Sequence, residues 1–117
     1  MRVLIVEDEV KLAALIRRGL RDEGMLADVA VTGEDALWMA AATAYDAIVL
    51  DVMLPGLDGF EVCDRLAAAG ARPAVVLTST RDASSYTDRL AHSSARGFVA
   101  KHALSASAVL SLVGSTS

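Results

Sequence analysis

A doubly wound α/β domain, three layers deep around a five-stranded parallel sheet in (βα)5 order, is the fold class this sequence predicts. Three observations predict it. Short apolar runs rich in β-branched residues, such as Val3-Leu4-Ile5-Val6 and Ile48-Val49-Leu50, recur five times along the chain. Continuous rather than alternating apolarity is what strands buried on both faces require. Longer segments of helical period separate these runs, and 117 residues leave room for one sizeable core and no second.

The first strand is expected over 2–6, ended by Glu7-Asp8-Glu9, which also cuts the apolar run too short for a leader or a membrane span. A helix follows over 9–23, closed by Gly24. Its Lys11, Arg17, Arg18 and Arg21 fall at helical spacing and read as a solvated face. Strand two is expected over 26–30, and Thr32-Gly33-Glu34-Asp35 opens a second helix over 33–43. Strand three covers 47–50 and delivers Asp51; Pro55-Gly56 marks a turn, and Asp58 can cap a third helix over 58–69. Within that helix the lone Cys63 reads as core packing before reactive thiol, and Gly70 closes the segment. Strand four, over 73–77, delivers Thr78, and a fourth helix is expected over 82–92. Strand five, over 97–100, delivers Lys101 and is followed by a fifth helix over 105–113. The domain is expected to span 1–117, with 115–117 a frayed tail or the start of a linker.

A 54% apolar, 22% charged composition excludes disorder. The net charge of −4 argues against direct binding of nucleic-acid phosphates. One cysteine leaves neither a disulfide nor a cysteine-based zinc site, so a reducing, cytoplasmic setting without membrane contact is expected.

Glu7, Asp8, Asp51, Thr78 and Lys101 all stand at carboxyl ends of strands. In a parallel sheet those ends share one edge, where open α/β sheets bind ligands. Asp8 and Asp51 facing each other make hard oxygen ligands suited to Mg2+, with Glu7 able to contribute through water. A divalent cation would relieve the carboxylate repulsion, keep Asp51 ionised as a nucleophile and neutralise an incoming phosphoryl group. Lys101 adds a positive charge and Thr78 a hydroxyl donor. Singly, each has a bland reading: Glu7-Asp8 as acids at a helix start, Thr78 as a strand-end residue, Lys101 as a surface lysine. Asp51 at the mouth of a central buried strand does not, because an unpaired carboxylate there costs free energy.

These residues resemble one family, the bacterial response-regulator receiver domains of two-component phosphorelay systems, over essentially the whole chain. Val3 to Glu9 is similar to the family's first strand and acidic pair, and Ile48 to Gly59 to its phosphoacceptor motif. The resemblance implies a flavodoxin-like sheet in strand order 2-1-3-4-5 and phosphorylation of Asp51 by a sensor histidine kinase or phosphotransfer protein. It assigns the switch to Thr78 and Phe98, a backbone carbonyl ligand for Mg2+ to Met53, and tuning of water attack to Met53 and Thr80. Met53 has no acid or amide to orient a water, so slow loss of the phosphoryl group is expected. Phosphorylation would remodel the face of helix four, strand five and helix five, acting on an output domain or downstream protein outside this chain. Helix five carries no charge, so a monomer or weak dimer is expected instead of a charge-paired one.

Two departures stand out. His102 occupies the position where the family has a cis proline, so the Lys101–His102 bond is expected trans, with Lys101 held further from Asp51 until phosphorylation draws it in. The segment to about Ala71 resembles receivers of winged-helix regulators, whereas Pro73 onward, including Gly97 to Leu104, resembles those of helix-turn-helix regulators; a hybrid origin would account for this. Rival functions fare worse. A haloacid-dehalogenase phosphatase needs a second aspartate where Met53 stands, and a flavodoxin needs a phosphate-binding loop where this chain has acids. The remaining alternative is a receiver-like interaction module that takes no phosphate.

Overall fold

The computed structural model describes residues 1–70 and 73–113, and the tail expected over 115–117 lies outside the described residues. Strands β1 (Arg2–Val6), β2 (Leu26–Ala30), β3 (Ala47–Asp51), β4 (Ala74–Ser79) and β5 (Gly97–Ala100) form one sheet in the order β2-β1-β3-β4-β5. Every neighbouring pair is parallel. Helices α1 (Val10–Asp22), α2 (Gly33–Ala42), α3 (Gly59–Ala68), α4 (Thr87–Ala91) and α5 (Ala106–Val113) connect and flank the strands.

The strand period of two divides the apolar runs between the faces. Leu4, Val6, Ile48, Leu50 and Leu77 pack with α2 and α3 residues such as Ala36, Phe60 and Val62. Val3, Ile5, Val49 and Val76 pack on the other face with Ala13 and Leu20 of α1 and with Val109 and Val113 of α5. Successive residues of β1 thus serve opposite cores, which is why the run has no polar alternation.

Local chemistry sets the helix starts as expected: Thr32 Oγ1 accepts the Asp35 N–H at 3.0 Å, and Asp58 Oδ1 accepts the Glu61 N–H at 2.9 Å. Cys63 is buried in the core, as its amphipathic position suggested.

The fourth helix is the main departure. In place of one element over 82–92 there is a 3-10 turn, Ala83–Tyr86, followed by the short α4. Ser84, Ser85 and Thr87 favour local turns over helix, and Thr87 Oγ1 donates to the Ser84 carbonyl at 3.2 Å. Tyr86 is meanwhile drawn inward, its ring 5.7 Å from Phe60 and 6.0 Å from Phe98. A second 3-10 turn, Lys101–Ala103, follows β5.

Candidate functional site

The carboxyl ends of β1, β3, β4 and β5 bring the expected residues to one edge. Register does most of the positioning: Asp51 pairs with Thr78, and Thr78 with Val99, two residues before Lys101. The close approach of α3 to this edge depends on Gly59, where a Cβ would come within 2.5 Å of the Asp51 carbonyl oxygen. No side chain fits there.

Asp51 is 2% exposed. Its Oδ1 accepts the Met53 backbone N–H at 3.0 Å and its Oδ2 accepts Lys101 Nζ at 3.0 Å. The same ammonium forms an ion pair with Glu7 Oε1 at 2.7 Å. Glu7 is equally buried, and its Oε2 accepts the Glu9 N–H at 3.1 Å. Burial pushes the Lys101 ammonium down, but the Glu7 and Asp51 carboxylates outweigh it and hold the net value above the ordinary lysine range.

Asp8 is exposed, yet one carboxylate oxygen from each of Glu7, Asp8 and Asp51 lies within 4.8 Å of the others. An all-oxygen acidic set of this kind fits a hard divalent cation such as Mg2+. Three carboxylates against one ammonium leave the edge with an excess of negative charge. Thr78 is also buried, and its Oγ1 has no hydrogen-bond partner among the described residues. An orphaned buried hydroxyl beside clustered charge is a donor available to a ligand.

The peptide bond between Lys101 and His102 is trans, since no cis bond occurs among the described residues. The expectation that Lys101 would stand off from Asp51 is corrected, because the 3-10 turn after β5 delivers the ammonium to within 3.0 Å through a trans backbone. His102 is exposed. Phe98 is half-buried against Tyr86, while the Met53 and Thr80 side chains face solvent. Of the basic residues on α1, Arg18 and Arg21 are exposed, but Arg17 Nε donates to the Ala27 carbonyl at 3.0 Å and covers part of the free edge of β2.

Sequence reading missed Ser79 and Tyr86. Ser79 is fully buried, its Oγ lies 2.9 Å from the Tyr86 hydroxyl, and it accepts the Arg81 N–H at 3.1 Å. A serine directly after Thr78 at a strand mouth was the available signal, but its partner lies outside the strand pattern.

Comparison with known proteins agrees with this geometry. The response regulator receiver domain family model matches residues 3–112. The transcriptional regulatory protein TcrA of Mycobacterium tuberculosis is 46% identical over 91 residues, covering 78% of this chain and 35% of that protein. The transcriptional activator protein IrlR of Burkholderia pseudomallei is 46% identical over 82 residues, covering 70% of this chain and 36% of that protein. This chain therefore spans about a third of the length of those relatives. Among solved structures, the response regulator protein TrrA from Thermotoga maritima, in complex with Mg2+ and BeF, superposes with a TM-score of 0.77 at 30% identity over 85% of this chain and 84% of that one. No helix among the described residues is long and apolar enough to cross a membrane.

Proposed function

The chain belongs to the response regulator receiver domain family, and from that premise we propose that it is a phosphoacceptor, taking a phosphoryl group on Asp51 from a histidine kinase or phosphotransfer protein in a Mg2+-dependent reaction. The observation that carries this reading is the environment of Asp51: a buried carboxylate with an ammonium at 3.0 Å and, across the register on β4, a buried hydroxyl that has no partner among the described residues. A structural ion pair has no use for the spare hydroxyl. A phosphoryl group on Asp51 does.

Asp8, Asp51, the Met53 carbonyl and, through water, Glu7 would hold Mg2+, which when bound supplies positive charge for the phosphoryl oxygens. In the transfer an Asp51 oxygen bonds to phosphorus as the phosphorus–nitrogen bond to the donor imidazole breaks, the electron pair leaving with nitrogen. Lys101 is positioned to offset the added negative charge. Thr78 Oγ1 would donate to a phosphoryl oxygen, and its movement together with Phe98 would alter the surface of α4, β5 and α5. Met53 and Thr80, both exposed, border the route by which water would reach the acyl phosphate.

The chain acts in this reading as one receiver domain over 1–117, an aid to its own phosphorylation and dephosphorylation and not an enzyme on other substrates. Its setting is the cytoplasm, as a monomer or weak dimer. Its output lies in protein outside this chain, without direct nucleic-acid binding here, consistent with relatives about twice its length. Intact-mass measurement after incubation with acetyl phosphate and Mg2+ tests the assignment. One added phosphoryl group is expected, absent without Mg2+ and absent in Asp51→Asn. No gain in the wild type would leave an interaction module that takes no phosphate.

A further inference from the structure

A groove of about 440 Å3 lies between α1 and β2, with Val10, Val29 and Val31 in its apolar lining and Arg17, Arg18 and Arg21 around them. None of the acidic-site residues lines it. Val10 and Val31 are exposed, so the apolar surface stands uncovered. The groove is also cationic: against the three arginines stands one acid, Asp22, in a chain whose net charge is −4. Arg17 Nε is spent on the Ala27 carbonyl, but the Arg18 and Arg21 guanidiniums have no ion pair or hydrogen bond among the described residues. An apolar hollow ringed by idle cations suits an occupant with an apolar tip and acids beside it.

Helix α2 presents such a tip. Trp38 is 74% exposed, and Glu34 and Asp35, four and three residues before it, share its exposed helix face. Their carboxylates are likewise unpaired among the described residues. Tip and groove also flank the same free edge. β2 ends the strand order; α1 packs on one face of the sheet through Ala13 and Leu20, and α2 on the other through Ala36. A two-fold axis along that edge exchanges the faces, so it sets α2 of each copy beside α1 of the other. Arg17 already covers the Ala27 carbonyl, so side chains, and not an added strand, have to make the contact.

We infer that a second copy of this chain occupies the groove: Trp38 of each copy seats on Val10, Val29 and Val31 of the other, with Glu34 and Asp35 against Arg18 and Arg21. The contact uses neither Asp51 nor the surface of α4, β5 and α5, and it holds whether or not the chain takes phosphate. Reciprocal tip and groove close the assembly at two copies. One aromatic anchor flanked by exposed ion pairs makes it weak.

Trp38 is the only tryptophan of the chain, so its fluorescence reads the contact directly. As protein concentration rises from micromolar to millimolar without any phosphate donor, its emission maximum should move to shorter wavelength while sedimentation velocity shows monomer passing into dimer. Trp38→Ala is expected to weaken association about tenfold or more, and added salt should weaken the wild type. A charge exchange tests the pairing. Arg18→Glu with Arg21→Glu, and separately Glu34→Lys with Asp35→Lys, change exposed residues only and should each lower self-association about tenfold, because like charges then face each other twice. Mixing the two double variants matches the charges again at both contacts and should restore dimer and emission shift to near the wild-type level. A wild type that stays monomeric at millimolar concentration overturns the second copy as occupant, whichever other partner the groove takes. Association that survives Trp38→Ala, or a mixture that associates no better than its components, overturns this interface as well.

Discussion

The two ends of the sheet each carry a charged cluster, but they are finished to different degrees. At the amino end Asp28 Oδ2 accepts Arg2 Nε at 3.2 Å, Arg2 Nη2 at 3.1 Å and the Tyr45 hydroxyl at 2.7 Å. The Arg2 N–H donates to Asp46 Oδ2 at 2.8 Å. There the Arg2 guanidinium is paired with Asp28, the Tyr45 hydroxyl is used, and the Arg2 side chain is 45% exposed. At the carboxyl end one ammonium serves two buried carboxylates, a third stands nearby, and the Thr78 hydroxyl has no partner among the described residues. A closed network fastens β1 to β2 and to the segment before β3. An unbalanced one is a site awaiting charge and an acceptor.

Removing the cation at each end should expose this contrast most strongly. Lys101→Met leaves Glu7 and Asp51 buried without a counter-charge and is expected to cost about 3 kcal/mol, part of it recovered by millimolar Mg2+. Arg2→Met leaves exposed partners and should cost below about 1 kcal/mol, with no recovery by Mg2+. Urea unfolding with and without Mg2+ measures both, and equal losses at the two ends would erase the distinction.

Hydroxyl deletions sharpen it further. Tyr45→Phe removes a hydrogen bond to a charged acceptor and should destabilise by about 1.5 kcal/mol while leaving phosphorylation intact. Thr78→Val removes a donor that has no partner, so stability should hold or rise by up to about 1 kcal/mol. The same change should impair retention of phosphate, and a clear loss of stability in the unphosphorylated domain would contradict the orphaned hydroxyl.

The smallest effect is on pH. The Tyr45 hydroxyl holds the Asp28 carboxyl below its ordinary value of 3.8; burial opposes this, and Arg2 adds to the lowering. The folded state thus binds that proton less tightly than the unfolded one. The resulting stability is present above 3.8 and drains as pH falls through the lower folded value. Melting temperatures at pH 5 and pH 3 should therefore fall further for the wild type than for Asp28→Asn, and parallel declines would remove Asp28 from the account.

Much of this molecule was legible before folding, for physical reasons. Strand runs are local patterns, and β1, β2 and β5 fall on the expected residues because continuous apolarity bounded by charge or glycine admits few alternatives. The gathering of Asp8, Asp51, Thr78 and Lys101 followed as well, since parallel strands joined by right-handed crossovers send all carboxyl ends to one edge. Local pattern failed where a long-range contact outweighed it. Over 82–92 the apolar and polar residues permit one helix, but Tyr86 gains more from the Phe60 and Phe98 rings and the Ser79 hydroxyl, so the segment breaks there. The reach of Lys101 was misjudged from its neighbour His102 alone, whereas its position depends on Glu7 and Asp51, brought near by other strands. Residue types and strand ends determined which groups could meet; only the packing of distant segments decided which hydroxyl was taken, at Ser79, and which was left free, at Thr78, because a hydrogen bond depends on ångström-scale geometry that no local pattern encodes.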